Sequence, residues 1–400
     1  QGNAVFPNVP IGMLGNNSGY VQFLVEEFPG FYSNISNAVR INRDHVGYSS
    51  QRFQSFDTGD FDGNGIKDIL LNDIYTKRED ASVSIIYSGS GSTVKLYENI
   101  APAYSISQAG FVGDIDGNPG EEIVEVDLIN ETITAVSKIG QVWTATSPIT
   151  PISLDMKIRA GGDINGDGIP DMIFTAQFAN NWAGQVHVLS GKDGSSIFAN
   201  GEVFGADAKN LGDLNGDGHA EFAVFSRSFR NALSQHVGAL KIFNGATGAL
   251  IRQHEGTSPH IGFGSSIITV TDLNGDGINE YAAGSERSFF GALPSSELQV
   301  RLFDGGTGNT LHKYSENVPG SPIQKFVLSE VDDGILIGAS HNEVVMKMNF
   351  RGRTKPFISG QASGCPIGFG THVAFIPGMR NEREFAVGCG EDQVIFLRQP

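Results

Sequence analysis

Residues 262–285, "GFGSSIITVTDLNGDGINEYAAGS", place an acidic, glycine-rich loop between two apolar runs. The loop and the run after it recur almost unchanged at 212–224, as "GDLNGDGHAEFAV". Three further copies are "GDFDGNGIKDILL" (59–71), "GDIDGNPGEEIVE" (113–125) and "GDINGDGIPDMIF" (162–174). Successive copies lie about 50 residues apart, and a period of this length indicates repeated supersecondary units.

Two degenerate copies follow at a similar spacing. In "FVLSEVDDGILIGAS" (326–340) both apolar runs remain, but the loop has shrunk to a turn at Asp332, Asp333 and Gly334. The last copy, "HVAFIPGMRNEREFAVGCG" (372–390), keeps the length and loses the acids. The chain therefore contains seven units.

Each unit is predicted to form four short strands. The acidic loop joins the first two, an alternating run such as "GALKIFNG" forms the third, and a fourth follows a glycine turn, as in "GALIRQH". Four short strands separated by Gly, Asn and Asp are typical of a propeller blade. No apolar run is long enough for a transmembrane helix, so we expect no membrane insertion.

The stretch 262–285 resembles the FG-GAP repeat of the integrin α-subunit β-propeller. Phe263 and Gly264 correspond to the FG element, and Ala283-Gly284-Ser285 to a loose GAP. The frame returns in the last unit as "IGFGTHVAF" and "FAVGCG". The resemblance covers roughly residues 53–400. It implies an all-β fold, a seven-bladed β-propeller of four-stranded antiparallel blades in a single domain spanning 1–400.

Residues 1–52 precede the first full unit, and the chain ends after a third-strand run at 393–398. We expect this N-terminal segment, 1–52, to close the last blade by supplying its missing fourth strand through a run such as "YVQFLVEEF" (20–28), because a closed ring leaves no free sheet edges. The alternative is an unpaired N-terminal extension.

The acidic loops have the composition of cation sites. In "DLNGDGINE" (272–280) oxygen-bearing side chains fill positions 1, 3, 5 and 9, and position 7 can offer its carbonyl. Such a donor set suits Ca²⁺, which takes 6–8 oxygen ligands, whereas zinc and copper favour His and Cys. The alternative is a plain Asp/Gly turn, which explains one copy better than five with the same positions filled.

We therefore predict about five structural Ca²⁺ ions, which would neutralise much of the net charge of −17. The predicted ligands are Asp60, Asp62, Asn64, Ile66 and Asp68; Asp114, Asp116, Asn118, Gly120 and Glu122; Asp163, Asn165, Asp167, Ile169 and Asp171; Asp213, Asn215, Asp217, His219 and Glu221; and Asp272, Asn274, Asp276, Ile278 and Glu280. We expect the loop containing Pro119 to bind most weakly, and the turn at Asp333 to bind no metal.

Two cysteines, Cys365 and Cys389, flank the degenerate seventh loop. An antiparallel hairpin would bring them together, so we predict a disulfide, with two buried free thiols as the alternative. A disulfide indicates an oxidising compartment. Calcium sites of this kind also fill most readily where calcium is millimolar. Both features favour an extracellular protein, secreted or at the cell surface.

Long segments after the second strand are the candidate binding surface. They are "AQFANNWAGQ" (176–185), "SRSFRNALSQHVG" (226–238) and "SERSFFGALPSSE" (285–297), and strand alternation places them opposite the acidic loops. Aromatic and Arg side chains are enriched in binding hot spots. The predicted ligand contacts are Trp182, Arg227, Phe229, Arg230, Arg287, Phe289 and Phe290. The alternative is that these aromatics cover the blades and touch only one another.

The net charge argues against nucleic-acid binding, which needs a basic surface. No G-x-S-x-G, H-E-x-x-H, P-loop or C-x-x-C motif occurs, so we expect no enzyme, although paired acids for glycoside cleavage cannot be told from calcium ligands. The resemblance to integrins favours a monomeric adhesion or protein-recognition module. The alternative is a secreted lectin or polysaccharide-binding protein, since related propellers bind sugars, so the expected ligand is an extracellular protein or a glycan.

Overall fold

A computed structural model describes most of the chain, and every element in the described part is a β-strand. The described residues are 4–5, 9–10, 20–29, 37–44, 53–73, 82–87, 94–99, 109–127, 130–149, 156–176, 184–200, 205–226, 229–256, 262–286, 295–319, 326–339, 344–359, 369–377, 383–389 and 393–398. In this part of the chain there is no helix of the length and apolar character that crossing a membrane requires.

Four strands precede the first unit: β1 (Ala4–Val5), β2 (Val9–Pro10), β3 (Tyr20–Pro29) and β4 (Asn37–Asp44). The first sheet contains β5 (Phe53–Gly59), β6 (Asp68–Asp73), β7 (Ser82–Tyr87) and β8 (Val94–Asn99). The second contains β9 (Ala109–Gly113), β10 (Glu122–Asp127), β11 (Thr132–Ser137) and β12 (Gly140–Thr146). The third contains β13 (Lys157–Gly162), β14 (Asp171–Ala176), β15 (Gln185–Leu189) and β16 (Ser196–Asn200).

The fourth sheet contains β17 (Gly205–Gly212), β18 (Glu221–Ser226), β19 (Ala239–Phe243) and β20 (Leu250–Glu255). The fifth contains β21 (Ser266–Val270), β22 (Glu280–Glu286), β23 (Ser295–Phe303) and β24 (Thr310–Pro319). The sixth contains β25 (Phe326–Val331), β26 (Gly334–Ala339), β27 (Val344–Asn349) and β28 (Thr354–Ser359). The seventh begins with β29 (Phe369–Pro377), β30 (Arg383–Cys389) and β31 (Gln393–Arg398).

The strands pair antiparallel in chain order within the first six sheets, so each sheet is a four-stranded meander. The all-β fold and the four-stranded antiparallel units predicted from the repeats are confirmed. Buried and half-buried residues alternate in strands such as β11, whereas the second strands β14, β18 and β26 are buried along their whole length.

The N-terminal strands join the seventh sheet. Next to β31 lies β4, with Phe396 opposite Val39, and β3 lies one strand farther out. The N-terminal segment thus supplies the strand beside the third strand of the last unit, as predicted. The run expected to do so, 20–28, falls within β3, so that part of the prediction is wrong. A strand of eight residues nearer to the first unit takes the place instead.

The first strands of consecutive sheets pack side by side, from β5 to β29, and β29 also contacts β5. Apolar clusters fill the interfaces between consecutive sheets. Between the third and fourth sheets, for example, Ile173 and Val188 pack with Ala208 and Phe222. Burying one such large side chain stabilises the fold by about 1.5–3 kcal/mol.

A second contact between neighbouring sheets involves the turn before each fourth strand. A Cβ added to Gly194, in the third sheet, would lie 2.9 Å from the ring of Trp143 in β12. The same contact recurs with a different covering side chain: Phe198 over Gly248, Arg252 over Gly308 and His312 over Gly352. All four glycines have positive φ, so this position needs glycine for its backbone as well as for space.

Candidate metal centres

Each of the five acidic loops joins the first strand of its sheet to the second. Its ninth position is the first residue of the second strand: Asp68, Glu122, Asp171, Glu221 and Glu280 begin β6, β10, β14, β18 and β22. The loops therefore lie at the same end of the first five sheets, where the first strand of each sheet ends.

The aspartate at position 1 shapes the backbone of each loop. In the third sheet, Asp163 Oδ1 accepts the N–H of Gly166 at 2.7 Å and Oδ2 accepts the N–H of Gly168 at 2.9 Å. Both glycines have positive φ, 76° and 84°, which turns their N–H groups toward one carboxylate. Asp213 and Asp272 make the same pair of contacts in the fourth and fifth sheets.

The acid at position 9 is buried and holds the start of the loop. The N–H of Ile164 donates to Asp171 Oδ2 at 2.8 Å, and Asp171 is 0% exposed. The equivalent bonds are Phe61 to Asp68 (2.8 Å), Ile115 to Glu122 (2.7 Å), Leu214 to Glu221 (2.6 Å) and Leu273 to Glu280 (2.6 Å). A structural bond repeated in five loops shows that position 9 is part of the fold and not only a possible ligand.

Burial opposes the ionisation of four of these ninth-position acids. It raises the pKa of Glu122 to about 7, with a further contribution from the negative charges of Asp116 and Asp114. It raises the pKa of Asp171 to about 6, and raises the pKa values of Glu221 and Glu280 as well. A bound cation would favour the ionised carboxylates by supplying the opposite charge.

The first two loops bring three carboxylates together. One oxygen each of Asp60, Asp62 and Asp68 lies within 4.8 Å of the others, and the same holds for Asp114, Asp116 and Glu122. These two groups lie close enough to hold a metal ion, and their donors are all oxygens.

The third, fourth and fifth loops differ, because Asn replaces Asp at position 3 and Asp replaces Asn at position 5. Their carboxylates do not form a group of three at that distance in the described residues. In the third loop, Asp167 Oδ1 accepts the N–H of Ile169 at 2.9 Å, and Asn165 donates to Asp167 Oδ2 at 3.1 Å. The fifth-position carboxylate is thus held by its own loop. The carbonyl ligands predicted at position 7 remain a prediction.

The second loop departs from the others at position 6. Pro119 has no N–H, so the bond that Gly168 makes to the first aspartate has no counterpart there. The positive φ moves one residue on, to Gly120 with φ 132°. This difference supports the expectation that the second loop binds a cation most weakly, which remains a prediction.

Neighbouring loops are hydrogen-bonded to each other. The N–H of Glu121 donates to the Asp60 carbonyl at 2.6 Å, and the N–H of Ala220 donates to the Asp163 carbonyl at 2.9 Å. Both donors occupy position 8 of their loops. Position 8 of the third loop is Pro170, which has no N–H and cannot make this bond.

Several residues that contact the loops escaped the sequence analysis. The ring of His219, considered only for its carbonyl, places Nδ1 2.9 Å from the Ile164 carbonyl in the preceding loop. Asn244 donates to both Asp217 and Glu221 at 3.0 Å, and Asp304 accepts from Asn274 at 2.9 Å. Asn244 and Asp304 both precede a glycine just after a third strand. This shared position in the repeat is the sequence signal that could have identified them.

In the sixth sheet, Asp332 and Asp333 form the two-residue turn between β25 and β26. Lys347 Nζ, on β27, donates to Asp333 Oδ1. The Lys347 side chain is 6% exposed and the Asp333 side chain 71%. This pair lowers the pKa of Asp333. A lysine thus supplies the positive charge at this turn.

Of the predicted ligand contacts, the structure describes Phe229 and Arg230. Trp182, Arg227, Arg287, Phe289 and Phe290 lie outside the described residues. Arg230 is exposed and donates to the Ser234 carbonyl at 2.7 Å, while Lys241 Nζ lies 6.0 Å from the centre of the Phe229 ring. The segment follows the end of β18 that is remote from the fourth acidic loop.

The predicted disulfide involves Cys365, which lies outside the described residues. Cys389 is the last residue of β30 and is paired with Phe369. The bridge therefore stays a prediction.

Comparison with known proteins supports the resemblance of these repeats to FG-GAP repeats. The FG-GAP repeat family matches residues 160–189, which contain the third acidic loop with β14 and β15. Integrin alpha-V of Gallus gallus is 31% identical over 246 residues, covering 52% of this chain and 24% of the integrin. The chain thus spans about a quarter of the length of this relative.

Two solved structures are similar in shape. A streptogramin B lyase matches with a TM-score of 0.53 and 11% identity, covering 94% of this chain and 98% of that one. A Dos1 propeller matches with a TM-score of 0.43 and 9% identity, covering 93% and 94%. The likeness to the lyase concerns the fold alone. Residues 160–189 thus match the FG-GAP repeat, and the chain, an all-β protein with six four-stranded antiparallel sheets among its described residues, is similar to integrin alpha-V over about half of its length.

Proposed function

We propose that the protein is an extracellular β-propeller that recognises a protein ligand and uses its five acidic loops as structural calcium sites. One observation carries the metal part of this proposal. Each loop combines a first aspartate that shapes the backbone with a buried ninth-position acid, as Asp163 and Asp171 do. Where ionisation of the buried acid is suppressed, a nearby cation relieves the cost of charging it.

The chemistry of the donors favours calcium. Carboxylate and amide oxygens on a flexible loop suit a hard cation that accepts six to eight oxygens at irregular angles. The ion would be held by the odd-numbered loop positions, and its effect would be on folding, because a preformed site rarely exists in an unfolded chain. Five such ions also account for the concentration of acidic residues in the loops.

The similarity to integrin alpha-V over half of this chain supports protein recognition outside the cell. We place the ligand on the side remote from the acidic loops, where the 226–238 segment carries the exposed Arg230. A rigid scaffold with variable loops at one end is a common way to build a binding site. We propose binding and not catalysis, because the loop acids that could resemble a catalytic pair are engaged in backbone hydrogen bonds.

Two measurements test this proposal. Elemental analysis of the purified protein should find about five calcium ions per chain, as the five loops predict. Binding should then be compared on an array of extracellular proteins and on a glycan array, with Phe229→Ala/Arg230→Ala as the variant and the exposed Lys192→Ala, in the β15–β16 turn, as the control.

We expect a protein ligand that the double variant loses and the control retains, with unchanged calcium content. Binding to glycans alone would establish a lectin instead. A calcium content of one ion or none would contradict the metal assignment, whichever ligand is found.

A further inference from the structure

A cavity of about 890 Å³ lies between the first strands of the sheets. It is lined from different sides by Asp57 on β5, Lys209 on β17, Thr269 on β21, Leu328 on β25 and Val373 on β29. It therefore occupies the centre of the arrangement of sheets. Its volume lies in the range of cavities that bind small molecules, roughly 300–1,000 Å³.

One side of this cavity is rich in cations, although the whole chain carries a net charge of −17. Lys67 and Lys209 line it. Behind them, Asp207 accepts from Lys157 at 2.8 Å and from Arg159 Nε at 3.0 Å. Asp207 is therefore already shared by two other cations, so its charge offsets that of Lys209 only in part.

The second nearby carboxylate is also engaged. Asp57 accepts the backbone N–H of Phe111 at 3.1 Å through Oδ2 and that of Thr58 at 2.9 Å through Oδ1. With Glu121, which interacts with Lys67, three anionic groups stand near four cationic ones. This part of the cavity has an excess of positive charge.

Of the two lysines that line the cavity, Lys209 is half-buried and Lys67 is exposed. The Lys209 ammonium group makes no hydrogen bond or ion pair within the part of the chain that the structure describes. Burial lowers the pKa of Lys209, and the positive charges of Arg159 and Lys67 lower it further, against the opposing effects of Asp57 and Asp207. An anion next to this ammonium group would relieve both the burial and the repulsion.

The far side of the cavity does not provide that anion. Glu330, on β25, accepts the N–H and the hydroxyl of Thr271 at 2.7 Å and 3.0 Å. Glu330 is thus held by the neighbouring fifth sheet. Asp332 also lines this side, and belongs to the turn of the sixth sheet.

We propose that the central cavity binds a small oxyanion, a carboxylate, phosphate or sulfate group, at Lys209 with Lys67 as a second contact. The site uses none of the predicted calcium ligands, although Lys67 occupies position 8 of the first acidic loop, and it does not include the proposed protein-binding segment. Three arguments carry it: a central volume of suitable size, a lysine whose ammonium group makes no hydrogen bond or ion pair among the described residues, and neighbouring carboxylates that are already engaged. Lysine recognises such groups as a compact charge with three donors.

The test uses the full chain in calcium and titrates sodium phosphate, sodium sulfate and sodium succinate at constant ionic strength, followed by calorimetry. We expect saturable binding of at least one of them with a Kd of about 1 mM or below. Lys209→Gln should weaken that binding at least tenfold, and Lys209→Arg, which keeps the charge, should retain most of it. The exposed Lys192→Gln serves as the control and should bind like the wild type.

Preference for phosphate and sulfate, or for succinate, identifies the chemical source of the oxyanion. Equal affinity in the wild type and in Lys209→Gln would overturn the proposal, as would the absence of saturable binding for all three salts. If Lys209→Gln does not fold, Lys67→Gln decides the matter, since Lys67 is exposed and its loss should weaken binding without unfolding the chain.

Discussion

The acidic loops of the first five sheets and the turn of the sixth both join the first strand of a sheet to its second, but different groups hold their carboxylates. In the third loop, Asp163 and Asp171 are held by backbone N–H groups. In the sixth sheet, Asp333 is held by the amine of Lys347. A charge supplied by the chain itself is always present, whereas an ion depends on its concentration outside. One fold therefore combines stabilisation that would depend on calcium with stabilisation that does not.

The largest expected effect is the loss of calcium from all five loops. Each ion that binds only the folded state contributes about 3 kcal/mol when its concentration is about 100 times its Kd. Removal with EGTA should therefore lower the melting temperature by about 10 °C or more in calorimetry. Magnesium added in place of calcium is the control and should restore little of the loss, since Mg²⁺ demands a smaller octahedral site. Unchanged melting in EGTA would remove the distinction between the two regions.

A single loop should show the same dependence on a smaller scale. Asp276→Ala removes a predicted ligand of the fifth loop and its bond to the N–H of Ile278. In calcium the variant should melt below the wild type and hold one ion fewer, and in EGTA the two should melt at nearly the same temperature. A deficit of equal size in both buffers would mean that Asp276 acts only through the turn.

The turn of the sixth sheet should respond to mutation without regard to calcium. Asp333→Ala leaves the buried ammonium of Lys347 unpaired, which should cost about 1–2 kcal/mol in urea unfolding, alike in calcium and in EGTA. The sequence alone predicted only that this turn binds no metal, and the pair with Lys347 makes a stability effect expected there as well. Adding Lys347→Met to Asp333→Ala should recover most of the loss, because an apolar side chain of similar length needs no partner. A loss that disappears in EGTA would place a metal at this turn.

The third case is a carboxylate that has no cationic partner among the described residues. Glu125, on β10 just after the second loop, is half-buried, and burial raises its pKa to about 7. Since the folded-state pKa lies above the ordinary value near 4.5, its protonated form favours folding, and that contribution is lost as the pH rises toward 7. Glu125→Gln should therefore be more stable than the wild type at pH 8, by about 1–3 kcal/mol, and no more stable below about pH 4.5. Denaturant unfolding across this range measures the difference, and an equal effect at both ends would contradict it.

The repeats made much of this fold predictable. Strands such as β15 and β19 follow from local alternation, and the acidic loops follow from five near-identical copies. Contacts between distant parts of the chain were not predictable in the same way. The ring of His219 reaches the preceding loop, and Lys347 reaches Asp333 across a sheet, because packing of neighbouring strands brings them together.

The choice of the strand beside β31 shows the same limit. Residues 20–28 and 37–44 are both extended and partly apolar, and nothing local distinguishes which one lies next to the last unit. The structure places β4 there and β3 outside it. The choice depends on connection length and on pairing partners, which a strand's own composition does not contain.

The glycine that receives a side chain from the preceding sheet has a consequence for how such a chain can grow. The receiving position is the same in four consecutive sheets, Gly194, Gly248, Gly308 and Gly352, while the covering side chain is Trp, Phe, Arg or His. A newly duplicated unit would carry the receiving glycine with it and would fit against whichever unit came before. Gene duplication can therefore lengthen the array first, and each interface can acquire its own side chain afterwards.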